Sequence, residues 1–239
     1  MSLLSVKGMS VDIGQYSVLH GVSFEVPEGG VFVLLGRNGA GKTTTLRAIM
    51  GLWDPTPGSV HFEGSEISGL HASEIARKGI AYVPENMGIF GGLTVAENMV
   101  LATASGKYDG KRLEWIYELF PALKTFWSKP AGALSGGQKQ MLAVARAIVE
   151  PRRLILIDEP TKGLAPSIIA NMAQAFREIS EDTTILLVEQ NFAFAKALGR
   201  DMGVIEDGRV VHTGTMTEFA ADAELQNRLL SLSGAEAPA

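Results

Sequence analysis

The chain has 239 residues, 46% of them hydrophobic and 20% charged, enough to bury a substantial core as a globular domain. Its formal net charge of -5 argues against general nucleic-acid binding, which needs a basic surface. Cysteine is absent, which excludes disulfides, thiolate metal sites and cysteine nucleophiles and fits a reducing compartment.

The N-terminal "MSLLSVKGMS" has neither the charged start nor the long apolar run of a signal peptide. Apolar runs such as "VFVLL" and "LILI" fall far short of the roughly 20 residues a membrane span needs. The expectation is a cytoplasmic chain, carried to any membrane by a partner. "SVLHGVSFEVPEGG" predicts strands and a turn of an antiparallel flank, and "GVFVLLG" a short strand buried on both faces. From about Thr94 to Val149 the pattern turns helical, through "TVAENMVLA", "KRLEWIYELF" and "MLAVARAIV". "RRLILID" and "TTILLVE" are two more buried strands, and "MGVIEDGRVVHTG" a hairpin turning at Asp207-Gly208. The small polar tail "SGAEAPA" is predicted to fray. Strands alternating with helices predict an α/β fold with a largely parallel sheet, an antiparallel β flank and an inserted α-helical subdomain. The core spans about 1–85 and 151–239, and the subdomain about 86–150.

"GRNGAGKTT" (Gly36, Arg37, Asn38, Gly39, Ala40, Gly41, Lys42, Thr43, Thr44) follows a strand and precedes a helix. It matches G-x-x-x-x-G-K-[ST] in the setting that gives the motif its meaning. Glycines let successive N–H groups curl around phosphate oxygens, and the helix start adds partial positive charge. Lys42 is expected to bridge the β- and γ-phosphates of ATP, and the Thr43 hydroxyl to ligate Mg²⁺. "LILIDEP" ends a buried strand with two carboxylates that point oppositely, so they divide the work. Asp158 goes to the Mg²⁺ shell and Glu159 to the attacking water, a role typically worth about 10²–10⁴-fold in rate.

"LSGGQ" stands where a helix begins, and its backbone donors form a second anion site without a lysine. Within one domain the helical insertion keeps it apart from the phosphate loop. A symmetric dimer brings them together, with Ser135-Gly136-Gly137 of one chain capping the γ-phosphate held by Lys42 of the other.

Phosphate loop, "LSGGQ" and "LILIDEP", in this order, resemble the nucleotide-binding subunit of an ATP-binding cassette (ABC) transporter over nearly the whole chain. The resemblance implies a P-loop NTPase (RecA-like) core and an ATPase on the inner face of the cell membrane. It also implies capping by Ser135, Gly136, Gly137 and Gln138 in trans. Transmembrane permease subunits, a second ATPase subunit and, indirectly, a solute-binding protein are the implied partners, with no nucleic acid. "AYVPENMGIFGGLTVAENM", "DEPTKGLAPSII" and "ILLVEQN" are similar to the ATPases of importers for branched-chain amino acids and for amides and urea. An exporter ATPase and a soluble ABC ATPase are the remaining alternatives, and homodimer against heterodimer stays open.

Three positions depart from the family pattern. Glu85 replaces a glutamine that senses Mg²⁺ and the membrane partner; a carboxylate still ligates Mg²⁺ but donates no hydrogen bond. Gln190 replaces the γ-phosphate switch histidine, which removes a charge change near neutral pH. The adenine-stacking aromatic is matched by Ile13, with Tyr16 three residues on as the alternative. His20, His61, His71 and His212 show no ligand spacing and read as surface or turn residues, and the aromatics of "RLEWIYELFPAL" read as core.

Overall fold

The computed structural model describes residues 2–230; the tail expected to fray lies outside them. The chain opens with two long strands, β1 (Ser2–Ile13) and β2 (Tyr16–Pro27). β3 (Val31–Leu35) then leads through the phosphate loop into α1 (Lys42–Ile49). β4 (Ser59–Phe62) and β5 (Ser65–Glu66) complete an antiparallel sheet of order β2-β1-β4-β5. The stretch "SVLHGVSFEVPEGG" therefore holds one continuous strand as far as Pro27, where more than one is expected, and a bend at Glu28, Gly29 and Gly30 that leads to β3. A register shift against β1, between the pairs Met9–Val22 and Val11–Leu19, absorbs Gly21 without reversing the chain.

After α2 (Ala72–Arg77) comes β6 (Ile80–Val83). The chain is then helical through α3 (Val95–Leu101), α4 (Gly110–Leu119), α5 (Pro121–Thr125) and α6 (Gly136–Ile148). β7 (Leu154–Asp158), α7 (Pro166–Asp182), β8 (Thr184–Glu189) and α8 (Phe192–Leu198) follow. The hairpin β9 (Asp201–Glu206) and β10 (Arg209–Thr215) turns at Asp207-Gly208, as the sequence predicts, before α9 (Met216–Ala221) and α10 (Ala223–Leu230).

The second sheet has the order β10-β9-β3-β8-β7-β6 and is parallel except for β10. Its central strands β3, β7 and β8 are buried along their whole length, and apolar apart from Asp158, Thr184 and Glu189 at their ends, because both faces are covered. Val33, Leu35, Ile157 and Leu187 pack toward α6, α7 and α8, whereas Phe32, Leu34, Leu156 and Leu186 pack toward α1 and the antiparallel sheet. Each such buried side chain contributes about 1.5–3 kcal/mol relative to exposure, so packing on two sides fixes the sheet. Within α4 and just beyond it, Ile116 and Phe120 are buried, and the Trp115 indole N–H donates to Glu178 of α7 at 2.8 Å.

A parallel sheet places the carboxyl ends of its strands along one edge. The registers Leu35–Glu189, Val188–Asp158 and Ile157–Val83 set the ends of β3, β8, β7 and β6 side by side. That edge carries the site.

Candidate active site

Gly41 lies at φ 106, in the region that disfavours a side chain, and a Cβ there would approach Leu19 Cδ2 to 2.6 Å. The turn leads straight into α1, whose N-terminus no side chain caps, so its first N–H groups are available to a ligand. Lys42 is 4% exposed. Its ammonium donates to the carbonyls of Gly36 (2.8 Å) and Arg37 (3.0 Å) and lies 2.8 Å from Glu159 Oε1. A cleft of about 460 Å³ opens here, lined by Asn38, Gly39, Gly41, Lys42, Thr43 and Thr44 together with Val18, Glu85, Glu159 and Lys162. Arg37 and Ala40 instead line an adjoining cavity beside Ile205 and Asp207.

Asp158 and Glu159 part company, but through a turn and not through strand alternation, because β7 ends at Asp158 and Glu159 already lies outside it. Asp158, fully buried, accepts from the Thr43 hydroxyl at 3.0 Å and the Tyr82 hydroxyl at 3.1 Å. Burial raises its pKa above the ordinary carboxylate range; the two hydrogen bonds oppose this, and the neighbouring charges of Glu85 and Glu159 add to it. Burial is also the main reason the Tyr82 hydroxyl is held well above the ordinary tyrosine range. Glu159, just past the strand, adopts φ 44, a conformation costing a non-glycine residue of order 1 kcal/mol. Its carboxylate meets Lys42.

Gln190 lines a second opening of about 400 Å³ with Asn38, Glu159, Thr161, Lys162, Glu189 and Asn191. Glu189 is a functional candidate that the motif reading passed over. It is 2% exposed and accepts four hydrogen bonds, from Thr161 N–H (3.2 Å) and hydroxyl (2.7 Å), Gln190 N–H (3.0 Å) and Asn191 N–H (2.9 Å). One carboxylate thus ties the loop after Glu159 to the loop carrying Gln190. The signal was present: like Asp158, Glu189 is a carboxylate ending a buried apolar strand. Glu85, beyond β6, is paired with Lys162, another residue the sequence reading did not assign.

Ser135 caps α6 reciprocally with Gln138. Its hydroxyl accepts from Gln138 N–H at 3.3 Å, and Gln138 Oε1 accepts from Ser135 N–H at 2.9 Å. Gly137 lies under Ile168, where a Cβ would come within 2.9 Å of a methyl group. None of Ser135, Gly136, Gly137 and Gln138 lines the phosphate cleft. Ile13 and Tyr16 pair across the tip joining β1 to β2, and Val18 lines the cleft where neither of them does. Tyr16 is 69% exposed, so it is not a packing residue. Among the described residues, the histidines belong to no cluster of three metal-ligating side chains.

The family described as "ABC transporter" matches residues 19–162. The chain is 38% identical over 231 residues to the high-affinity branched-chain amino acid transport ATP-binding protein BraG of Pseudomonas aeruginosa, covering 95% of this chain and 99% of BraG. It is 35% identical over 206 residues to the "Probable branched-chain amino acid transport ATP-binding protein LivF" of Archaeoglobus fulgidus, covering 84% and 87%. Its fold matches an ATP-binding cassette of an ABC transporter solved in its ADP conformation, with TM-score 0.80 and 22% identity over 98% of this chain and all of that one. The chain belongs to the ABC transporter family, as an ATPase cassette.

Proposed function

We propose that this cassette hydrolyses Mg-ATP to power a membrane importer of branched-chain amino acids. The near end-to-end similarity to BraG, named for that transport, carries the cargo class; urea and amides are the alternative cargo. The chemistry rests on Lys42, Thr43, Asp158 and Glu159 meeting at one sheet edge.

The residues present fit Mg²⁺. Thr43 Oγ1 and Asp158 Oδ1 are 3.0 Å apart, matching the roughly 3.0 Å between adjacent oxygens of an octahedral shell with ligands at about 2.1 Å. Among the described residues no three acidic or imidazole groups are placed to hold a metal unaided, so phosphate oxygens and water must complete such a shell. Thr43, Asp158 and Glu85 would hold the ion, which when bound neutralises phosphate charge. Lys42 transfers from Glu159 to the β- and γ-phosphates, and Glu159, released, orients the attacking water and takes its proton. Gln190 donates to the γ-phosphate. Ser135, Gly136, Gly137 and Gln138 of a second ATPase chain, identical or homologous, close the site.

Residues 86–150 act as the helical subdomain. A groove of about 360 Å³ joins the Glu85 loop, through Pro84 and Met87, to Ala102 of the α3 end and to Ala143 and Arg146 of α6. There the permease subunits dock, with the cassette on the inner face of the membrane and a solute-binding protein contributing indirectly from the far side. Among the described residues no helix is long and apolar enough to cross a membrane. Proteoliposomes containing the cassette copurified with its membrane subunits, given the solute-binding protein, test this. ATP-driven uptake of leucine, isoleucine and valine is expected. Uptake of urea or amides alone would reassign the cargo, and active ATPase with no uptake of any of these solutes would reject the reading.

A further inference from the structure

Lys162 has no role in the function proposed above, yet it occupies the phosphate cleft. It lies in the loop just after Glu159, and its ammonium pairs with the carboxylate of Glu85, 77 positions earlier in the chain. Both side chains reach solvent, at 59% and 40% exposure, and both line the same cleft as Lys42 and Thr43. Glu85 contributes most to holding the Lys162 pKa above the ordinary lysine range, and Glu159 and Asp158 add to that shift. The same Glu85 charge acts on Asp158, whose carboxyl would face the metal.

A glutamine at position 85 would leave this edge with one negative charge fewer. Glu85 adds a carboxylate beside Asp158 and Glu159, and that charge repels incoming phosphates unless a cation accompanies it. Lys162 is the cation placed on it. We propose that Lys162 is the resident counter-ion of Glu85, occupying that carboxylate until Mg²⁺ displaces it, so that loading of metal and nucleotide is an exchange of one cation for another. This rests on the reading that Glu85 belongs to the Mg²⁺ site. It adds that Lys162 tunes the metal requirement by competing for Glu85, and that its effect on phosphate binding runs through Glu85.

The test titrates a fluorescent ATP analogue onto the full chain, first in EDTA and then across a Mg²⁺ series, for the wild type, Lys162→Met, Glu85→Gln and the double variant. Lys162 is exposed, so its replacement leaves the fold intact. In Lys162→Met the uncompensated Glu85 should weaken metal-free binding about two- to fivefold, the effect of an exposed ion pair, and lower the Mg²⁺ midpoint by a similar factor. Glu85→Gln should raise that midpoint, and in its background Lys162→Met should change neither quantity. If Lys162→Met has equal effects with and without Glu85, Lys162 acts on phosphate directly and the exchange is wrong. If Lys162→Met changes nothing while Glu85→Gln still moves the Mg²⁺ midpoint, the exchange fails and the Mg²⁺ site stands. If Glu85→Gln leaves the Mg²⁺ midpoint where it was, the reading of Glu85 as a metal-site residue fails, and the exchange with it.

Discussion

Lys42 and Glu159 are held 2.8 Å apart, the ammonium that would meet phosphate against the carboxylate that would activate water. Their side chains are 3% and 11% exposed, so water and salt screen this pair less than they would a surface salt bridge. A phosphate entering the loop must replace Glu159 as the partner of Lys42. On the proposed mechanism, phosphate binding and release of the water-directing group are then one exchange. Glu159→Gln removes the charge that competes for Lys42 and should tighten ATP binding about three- to tenfold by equilibrium titration. Unchanged or weaker binding would mean that the pair does not compete with phosphate.

Lys42→Ala removes a charge-assisted contact of about 1.5–3 kcal/mol, and nucleotide affinity should fall about 10- to 150-fold. The same change strands the Glu159 carboxylate beside the carbonyls of Gly36 and Arg37. Lys42→Ala should therefore also unfold at lower denaturant concentration than Lys42→Ala/Glu159→Gln. Wild-type ATP affinity in Lys42→Ala would rule out this loop as the phosphate site.

Tyr82→Phe tests the support of Asp158. The Tyr82 hydroxyl is one of two side-chain donors to that buried carboxylate, and losing it costs about 0.5–1.5 kcal/mol. The Asp158 pKa should rise further, so that the carboxylate is in its metal-binding form less of the time. The pH below which Mg²⁺-dependent binding is lost should then move upward. A superimposable pH profile would show that Tyr82 does not hold Asp158 in its working state.

Glu189 gives a prediction about stability. Burial outweighs its four donors and raises its pKa above the ordinary 4.5. Between that value and the raised native value, the folded chain retains a proton that the unfolded chain has lost, so this group makes stability fall as pH rises. In denaturant titrations between pH 4.5 and 7, the wild type should lose stability relative to Glu189→Gln as pH increases. A difference independent of pH would contradict the assigned shift.

The phosphate loop and the acidic strand end were legible because each is a local pattern. Gly36–Thr44 needs a strand before it and a helix after it, and both stand in the neighbouring residues. Two adjacent carboxylates at a strand end are likewise a local pattern, although what separates Asp158 from Glu159 is the left-handed turn at Glu159 and not the alternation expected within one strand. What stayed hidden depends on partners distant in sequence. Glu189 meets Thr161 because β7 and β8 are neighbours, and Glu85 meets Lys162 because β6 lies next to β7. No spacing rule connects them. The number of strands in "SVLHGVSFEVPEGG" was hidden for a different reason: a glycine such as Gly21 can mark a reversal in a short hairpin or a bulge within a long strand, and pairing with β1 decided which.

The most direct test of the account is the chemical state of the nucleotide held by Glu159→Gln. The purified variant is mixed with substoichiometric radiolabelled Mg-ATP, quenched over time, and its nucleotide is separated beside a wild-type control. The account predicts that the wild type converts its label to ADP while the variant retains ATP, with turnover reduced about 10²- to 10⁴-fold. Conversion by Glu159→Gln at the wild-type rate would contradict it, because the carboxylate opposite Lys42 would then have no part in activating water.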